Sequence, residues 1–267
     1  TEGPEVAQAD IIVDATSHDC GADVVFDAVI TDNCSGISTV TATYYEGGGA
    51  YLGNNAQRIV DITNGGTLSG LPVGVTTVYI DAKDGCLNNT RDTVVVTVRD
   101  AGVPVAICND QLHVSLGSHG SARLYAEDID EGSYDNCGDV TLEVRRTDGC
   151  LGRTSWSEYV PFECCDADEF VTVELRVTDE AGNTNICWKE VLVEDALAPW
   201  VEAPANITIN CDDEALHNPF GELEEGEDYG DNCTVDIDYV DGGGLDQCKA
   251  GVLTRTWTVS DDSEKSQ

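Results

Sequence analysis

Val173-Glu174-Leu175-Arg176-Val177-Thr178-Asp179 alternates apolar and polar side chains with a period of two and stops at an aspartate. The turn Glu180-Ala181-Gly182-Asn183 follows, and then a second alternating run, Glu190 to Val193. This pattern predicts a β-hairpin with one buried face. The same reading applies to Thr76-Thr77-Val78-Tyr79-Ile80-Asp81-Ala82-Lys83-Asp84, with its turn at Gly85 to Asn89 and return run Thr93 to Val98. Thr254-Arg255-Thr256-Trp257-Thr258-Val259-Ser260-Asp261 opens a third copy.

Two further markers keep the same phase. Asp-Asn-Cys occurs at 32–34, 135–137 and 231–233, its cysteines 103 and 96 residues apart. An aspartate four positions before a proline recurs at Asp100 and Pro104 and at Asp195 and Pro199, with Pro4 as the first proline of the series; the prolines lie 100 and 95 residues apart. Self-similarity at this period sets three repeats, 1–100, 101–195 and 196–267. Strand-length runs between Gly, Asn and Asp turns, with no sustained 3.6-residue period, predict an all-β chain of three antiparallel β-sandwiches in tandem.

Composition narrows the function. The 51 acidic and 13 basic residues give a formal charge of −38, which repels phosphate backbones and anionic lipid surfaces, so neither nucleic acid nor membrane is an expected partner. No run of eighteen apolar residues is present, so no membrane insertion is expected. Thr1-Glu2-Gly3-Pro4 has no signal-peptide pattern, as expected of a mature or excised segment. Twelve cysteines without a CxxC pair fit an oxidising, extracellular or cell-surface setting. Asn33, Asn88, Asn206 and Asn232 head Asn-x-Ser/Thr sequons and are candidate glycosylation sites.

Leu71-Pro72-Val73-Gly74-Val75-Thr76-Thr77-Val78, the Asp-Glu-Ala-Gly-Asn turn at 179–183 and Pro204-Ala205-Asn206-Ile207-Thr208-Ile209 resemble the hyalin-repeat family, a module of large bacterial surface proteins, especially those of the Bacteroidota, and of animal extracellular proteins. The resemblance implies that each sandwich is immunoglobulin-like and stapled by disulfides. It also implies that a cysteine in the Asp-x-Cys turn has a mate in the preceding loop. Here Cys86 has the turn position without the mate, and Cys248 has the loop position opposite Ser263. The two are complementary, so a Cys86–Cys248 link between successive subunits is one reading and free thiols or outside partners the other.

Alignment of the repeats supplies other pairs. The first repeat lacks both Cys108 and Cys187 at once, as expected if they bridge the first strand to the last. Cys20 with Cys34 and Cys211 with Cys233 are expected as short intra-repeat loops. Cys137 and Cys150 are then expected to pair with Cys164 and Cys165, in an order the sequence leaves open.

No nucleophile elbow, phosphate loop or local catalytic constellation appears, so the chain is read as a non-enzyme. The expected role is structural: a subunit of an extracellular filament whose partners are copies of itself. The alternatives are an adhesin segment binding glycans or surface proteins, and accessory domains of a secreted enzyme. By analogy with the other two repeats, roughly fifteen further residues would supply the third repeat's last strand, so that strand is expected either from a longer chain of which this is a window or from another copy. Val6, Ile11, Ile12 and Val13 of another copy are a candidate donor strand to replace it. No cofactor is expected, except that calcium is a candidate at Asp100, Asp128, Asp130, Asp135 and Asp195, and at the strand-closing Asp84, Asp179 and Asp261. Trp257 and Trp188 are read as core, and Trp156 and Trp200 as surface positions.

Overall fold

The computed structural model describes residues 2–16, 20–33, 36–45, 56–210, 220–246 and 250–261. Strands dominate them. The first repeat contains β1 (Glu5–Ala7), β2 (Ile11–Asp14), β3 (Gly21–Phe26), β4 (Val29–Thr31), β5 (Ile37–Tyr45), β6 (Gln57–Asp61), β7 (Gly66–Pro72), β8 (Gly74–Asp84) and β9 (Asn89–Arg99). The second contains β10 (His113–Ser115), β11 (Ser121–Tyr125), the single turn α1 (Ala126–Ile129), β12 (Val140–Arg146), β13 (Tyr159–Glu163), β14 (Phe170–Asp179) and β15 (Thr184–Glu194). The third contains β16 (Trp200–Val201), β17 (Tyr229–Gly230), β18 (Asp236–Leu245) and β19 (Gly251–Ser260). No described helix is long and apolar enough to cross a membrane.

The first repeat is a β-sandwich. One sheet has the order β2-β9-β8-β5-β6, with β2 running parallel to the last strand β9; β3 and β7 form a facing ladder and β1 pairs with β4. Alternation sets what lies between the layers: Val78, Ile80 and Ala82 of β8 and Val94, Val96 and Val98 of β9 point inward against Val24, Phe26, Leu68 and Leu71. Each buried valine, leucine, isoleucine or phenylalanine among them contributes about 1.5–3 kcal/mol relative to exposure.

The second repeat repeats the plan, with sheet order β10-β15-β14-β12, β10 parallel to β15, and a β11-β13 ladder. Val171, Val173, Leu175 and Val177 form the buried row of β14. In the third repeat β16 pairs with β17 and β18 with β19, and Val259 is its single buried hydrophobic residue among those described.

By spatial proximity the chain divides into two compact units. The first comprises residues 1–106, 132–141 and 177–185, and the second residues 107–131, 142–176 and 186–267.

Candidate functional site at the Asp-Asn-Cys loops

The period of two that buries the valines continues to the aspartate ending each strand. Asp84, Asp179 and Asp261 fall on the inward face and are 1%, 6% and 8% exposed. Their turns supply hydrogen bonds. The Asp84 carboxylate accepts from the Asn88 side chain at 2.6 Å and from the Asn88 and Cys86 amides at 2.8 Å each. These bonds, the Asn88 side chain first, hold its pKa below the usual carboxylate value. Asp179 accepts from the Asn183 amide at 2.8 Å and its side chain at 2.9 Å.

The Asp-Asn-Cys motif folds as a local turn around its own aspartate. Asp135 Oδ2 accepts from the Cys137 amide at 2.6 Å, and Asp231 Oδ2 from the Cys233 amide at 3.1 Å. The turn directs the cysteine to the preceding repeat. Cys137 bridges Cys20, with Cα atoms 4.9 Å apart, and Cys233 bridges Cys164, with Cα atoms 5.3 Å apart.

These bonds correct the expected pairing. Cys20 is not joined to Cys34, Cys233 is not joined to Cys211, and Cys137 is joined to neither Cys164 nor Cys165. Loop length favoured short intra-repeat closures, whereas the turn geometry sends each motif cysteine across a repeat boundary. Cys150 pairs with Cys165, one of the two orders left open, and Cys108 pairs with Cys187. Cys86 is an exposed free thiol. Cys34, Cys211 and Cys248 lie outside the described residues.

The receiving positions correspond in strand order and backbone conformation. Cys20 immediately precedes β3 with φ 46°, and Gly120 immediately precedes β11 with φ 64°. A side chain on Gly120 would overlap the Cys164 sulfur and the Asn232 carbonyl. In the second repeat the glycine therefore leaves room for a sulfur supplied from elsewhere in the same repeat.

Carboxylates gather at the same loops. Oxygens of Asp195, Asp231 and Asp261 lie within 4.8 Å of one another, as do those of Asp100 and Asp135 beside the Cys137 sulfur. Asp128 and Asp130 belong to neither group. Asp128 accepts from the Tyr125 amide at the start of α1, and Asp130 forms a β-bridge with Cys108. The strand period and the Asp-Asn-Cys spacing are the signals that identify Asp231 and Asp261 as members.

Other expected sites fall as follows. Val6 pairs in β1 opposite Ile30, and Ile11, Ile12 and Val13 pair in β2 opposite Val96, Thr97 and Val98, so the expected donor segment is already part of its own sandwich. The Nδ2 groups of Asn88 and Asn232 donate to Asp84 and Asp195, that of Asn33 donates to Glu2, and Asn206 is exposed. Trp188 is 64% exposed rather than core, because it lies on the outward-facing phase of β15.

Two constellations escaped the sequence reading. Arg146 and Asp166 form a bidentate ion pair with both side chains fully buried, at 2.8 and 2.5 Å. Burial opposes ionisation of Asp166, but Arg146 and the Cys150 and Glu163 amides outweigh it and hold its pKa below the ordinary value. Trp156 packs against the Arg145 and Arg176 guanidinium groups at 4.1 and 4.6 Å. Those arginines pair with Glu174 and Glu143 across β12 and β14.

No family model matches the chain, and no curated protein matches it. The solved structures to which the chain is similar are distant ones. A titin I-band fragment, I67–I69, is 8% identical over 100% of this chain and 96% of its own, with a TM-score of 0.40. The N-terminal four immunoglobulin domains of a Dscam1 isoform are 10% identical over 72% of this chain and 46% of their own, with a TM-score of 0.40. Fibronectin(III)-like modules of CbhA from Clostridium thermocellum are 13% identical over 72% and 95%, with a TM-score of 0.26. The chain is all-β and built of tandem immunoglobulin-like β-sandwich modules.

Proposed function

We propose that this chain is a non-catalytic, load-bearing segment of an extracellular or cell-surface filament, built of hyalin-type repeats joined covalently as well as by their linkers. One observation carries the reading: both described Asp-Asn-Cys cysteines, Cys137 and Cys233, bridge back to the preceding repeat. A domain stabilised only for its own sake has no need of bonds across repeat boundaries. Bonds placed there divert tension from the linker. The oxidising setting such bonds require, and a charge of −38 that limits lateral bundling, fit an exposed surface.

The series has a continuation in the sequence. Cys34 is the first repeat's counterpart of Cys137 and Cys233, and Cys211, like Cys20, precedes its own motif. A Cys211-to-Cys34 bond between successive copies would extend the ladder along a filament. The two thiols would give up two electrons and two protons to a disulfide-carrying oxidoreductase of that compartment. Donor-strand exchange is not needed for this assembly.

Peptide mapping of unreduced native material is the test. Linked peptides Cys20–Cys137 and Cys164–Cys233, together with Cys34 joined to Cys211 of another copy, are expected. Recovery of Cys20–Cys34 and Cys211–Cys233 instead would return the bonds to single repeats and remove the mechanical argument. An adhesive reading has a specific observation of its own in the exposed Trp188, whose indole offers a stacking face for a sugar.

A further inference from the structure

We propose that the third repeat's Asp195, Asp231 and Asp261, with the side-chain carbonyl of Asn232, form a calcium site, and that Asp100 and Asp135 begin an equivalent one in the second repeat. The inference is independent of the filament reading, because a cation at these loops serves any extracellular role. Three carboxylate oxygens lie within 4.8 Å of one another, and Asp195 and Asp261 are only 3% and 8% exposed. Oxygens gathered this closely, two of the three carboxylates being removed from solvent, form a donor set that one cation can share.

A second observation is consistent with a cation at these loops. Asn232 holds Asp195 Oδ1 through its Nδ2 at 3.1 Å, while its own Oδ1 has under 1 Å² of accessible surface and accepts no hydrogen bond. A buried carbonyl oxygen on the side chain that holds Asp195 calls for a donor or a metal ion. The second repeat presents the same anomaly. Asp135 Oδ1 is equally buried and accepts nothing, while Asp135 Oδ2 takes the Cys137 amide. A side chain at Gly102 would meet Asp100 Oδ1 and Asn136 Oδ1 together, which places the motif asparagine's oxygen beside the linker carboxylate here too.

The donor set selects the ion. Every available ligand is oxygen, since Cys137 and Cys233 are committed to disulfides, so zinc and copper are disfavoured. Carboxylates of mixed orientation with an amide carbonyl suit the six to eight flexible oxygen ligands of calcium better than the strict octahedron of magnesium.

The full chain, stripped with a chelator, is titrated with calcium chloride at physiological ionic strength, and with terbium chloride as an optical probe. Saturable heat of calcium binding, a higher thermal midpoint and terbium emission excited through tryptophan are expected. The Trp200 ring lies against Gly230, next to Asp231, so Trp200→Phe should dim the emission and leave calcium affinity intact. Asp231→Asn, which can still accept the Cys233 amide, and Asn232→Ala should each weaken binding at this site at least tenfold. No saturable binding, or unchanged affinity in Asp231→Asn with Cys164–Cys233 intact, overturns the proposal. So does a thermal midpoint that rises equally on acidification with chelator present and no calcium added, since the gain would then need no metal ion.

Discussion

Asp166 shows how far a single residue departs from its sequence neighbourhood. Alternation through Leu142-Glu143-Val144-Arg145-Arg146 places Arg146 on the same inward face as Val144, and it is indeed fully buried. Its charge is tolerated because Asp166, twenty positions later, meets it bidentately, while the Asp148 and Pro161 carbonyls accept two further N–H groups. A side chain on Gly149 would overlap the Arg146 guanidinium, so that glycine, at φ 78°, is required by the pair. Asp166→Asn leaves a buried cation uncompensated and should cost about 3–5 kcal/mol in urea unfolding at neutral pH. The pH dependence has a fixed sign. The folded pKa of Asp166 is depressed, so its contribution is present above the usual carboxylate value of 3.8 and fades as acidification passes through the folded value. The gap between wild type and variant should therefore narrow below about pH 4; a gap independent of pH would assign the loss to packing. The inward phase of Arg146 follows from the alternation of its strand, but its partner carries no local mark, because no pattern in the sequence singles out an acid that pairs with a distant arginine in a core.

At the scale of elements, the strands were legible because period-two burial is a local property. Val173, Leu175 and Val177 occupy the face their alternation assigns, and so does Asp179, whose burial follows from the same count. The Cys108–Cys187 pair was legible, because the first repeat lacks both positions at once, but the partners of Cys20, Cys137 and Cys233 were not, because they depend on which loops of different repeats meet, and a one-dimensional spacing favours the nearest cysteine. Trp188 illustrates the same limit: its strand was evident, but its face was set by the phase of β15 rather than by its hydrophobicity. The Asp179 turn carries a prediction of its own. Removing the carboxylate in Asp179→Ala leaves the Asn183 amide without its acceptor and the Asn183 side chain with only the Asp100 carbonyl at 3.4 Å, and should cost about 1–3 kcal/mol. Hydrogen exchange at the Asn183 amide should accelerate while amides in the middle of β14 remain protected. Uniform acceleration along β14 and β15 would mean that the aspartate supports the whole hairpin rather than its turn.

For the molecule as a whole, the order of the disulfides matters more than their number. Cys20–Cys137 and Cys108–Cys187 interleave, as do Cys108–Cys187 and Cys164–Cys233, with Cys150–Cys165 linking the last two steps. The shortest covalent path from Cys20 to Cys233 therefore jumps to Cys137, follows the chain to Cys150, jumps to Cys165, crosses one peptide bond to Cys164 and jumps to Cys233. About 200 residues are bypassed, so roughly 700 Å of contour is withheld from a force applied at the ends. Intra-repeat bridges alone would leave the segments between repeats free to extend. Single-molecule stretching of the full chain should give a short extension before detachment when oxidised, and an added extension of roughly 700 Å after mild reduction. Replacing only Cys20 and Cys137 with serine should release the stretch between the first repeat and the remaining bridges while Cys164–Cys233 still holds. An oxidised chain that extends as far as the reduced one would show that the interleaved bonds do not form in solution, and the load-bearing reading would fall with them.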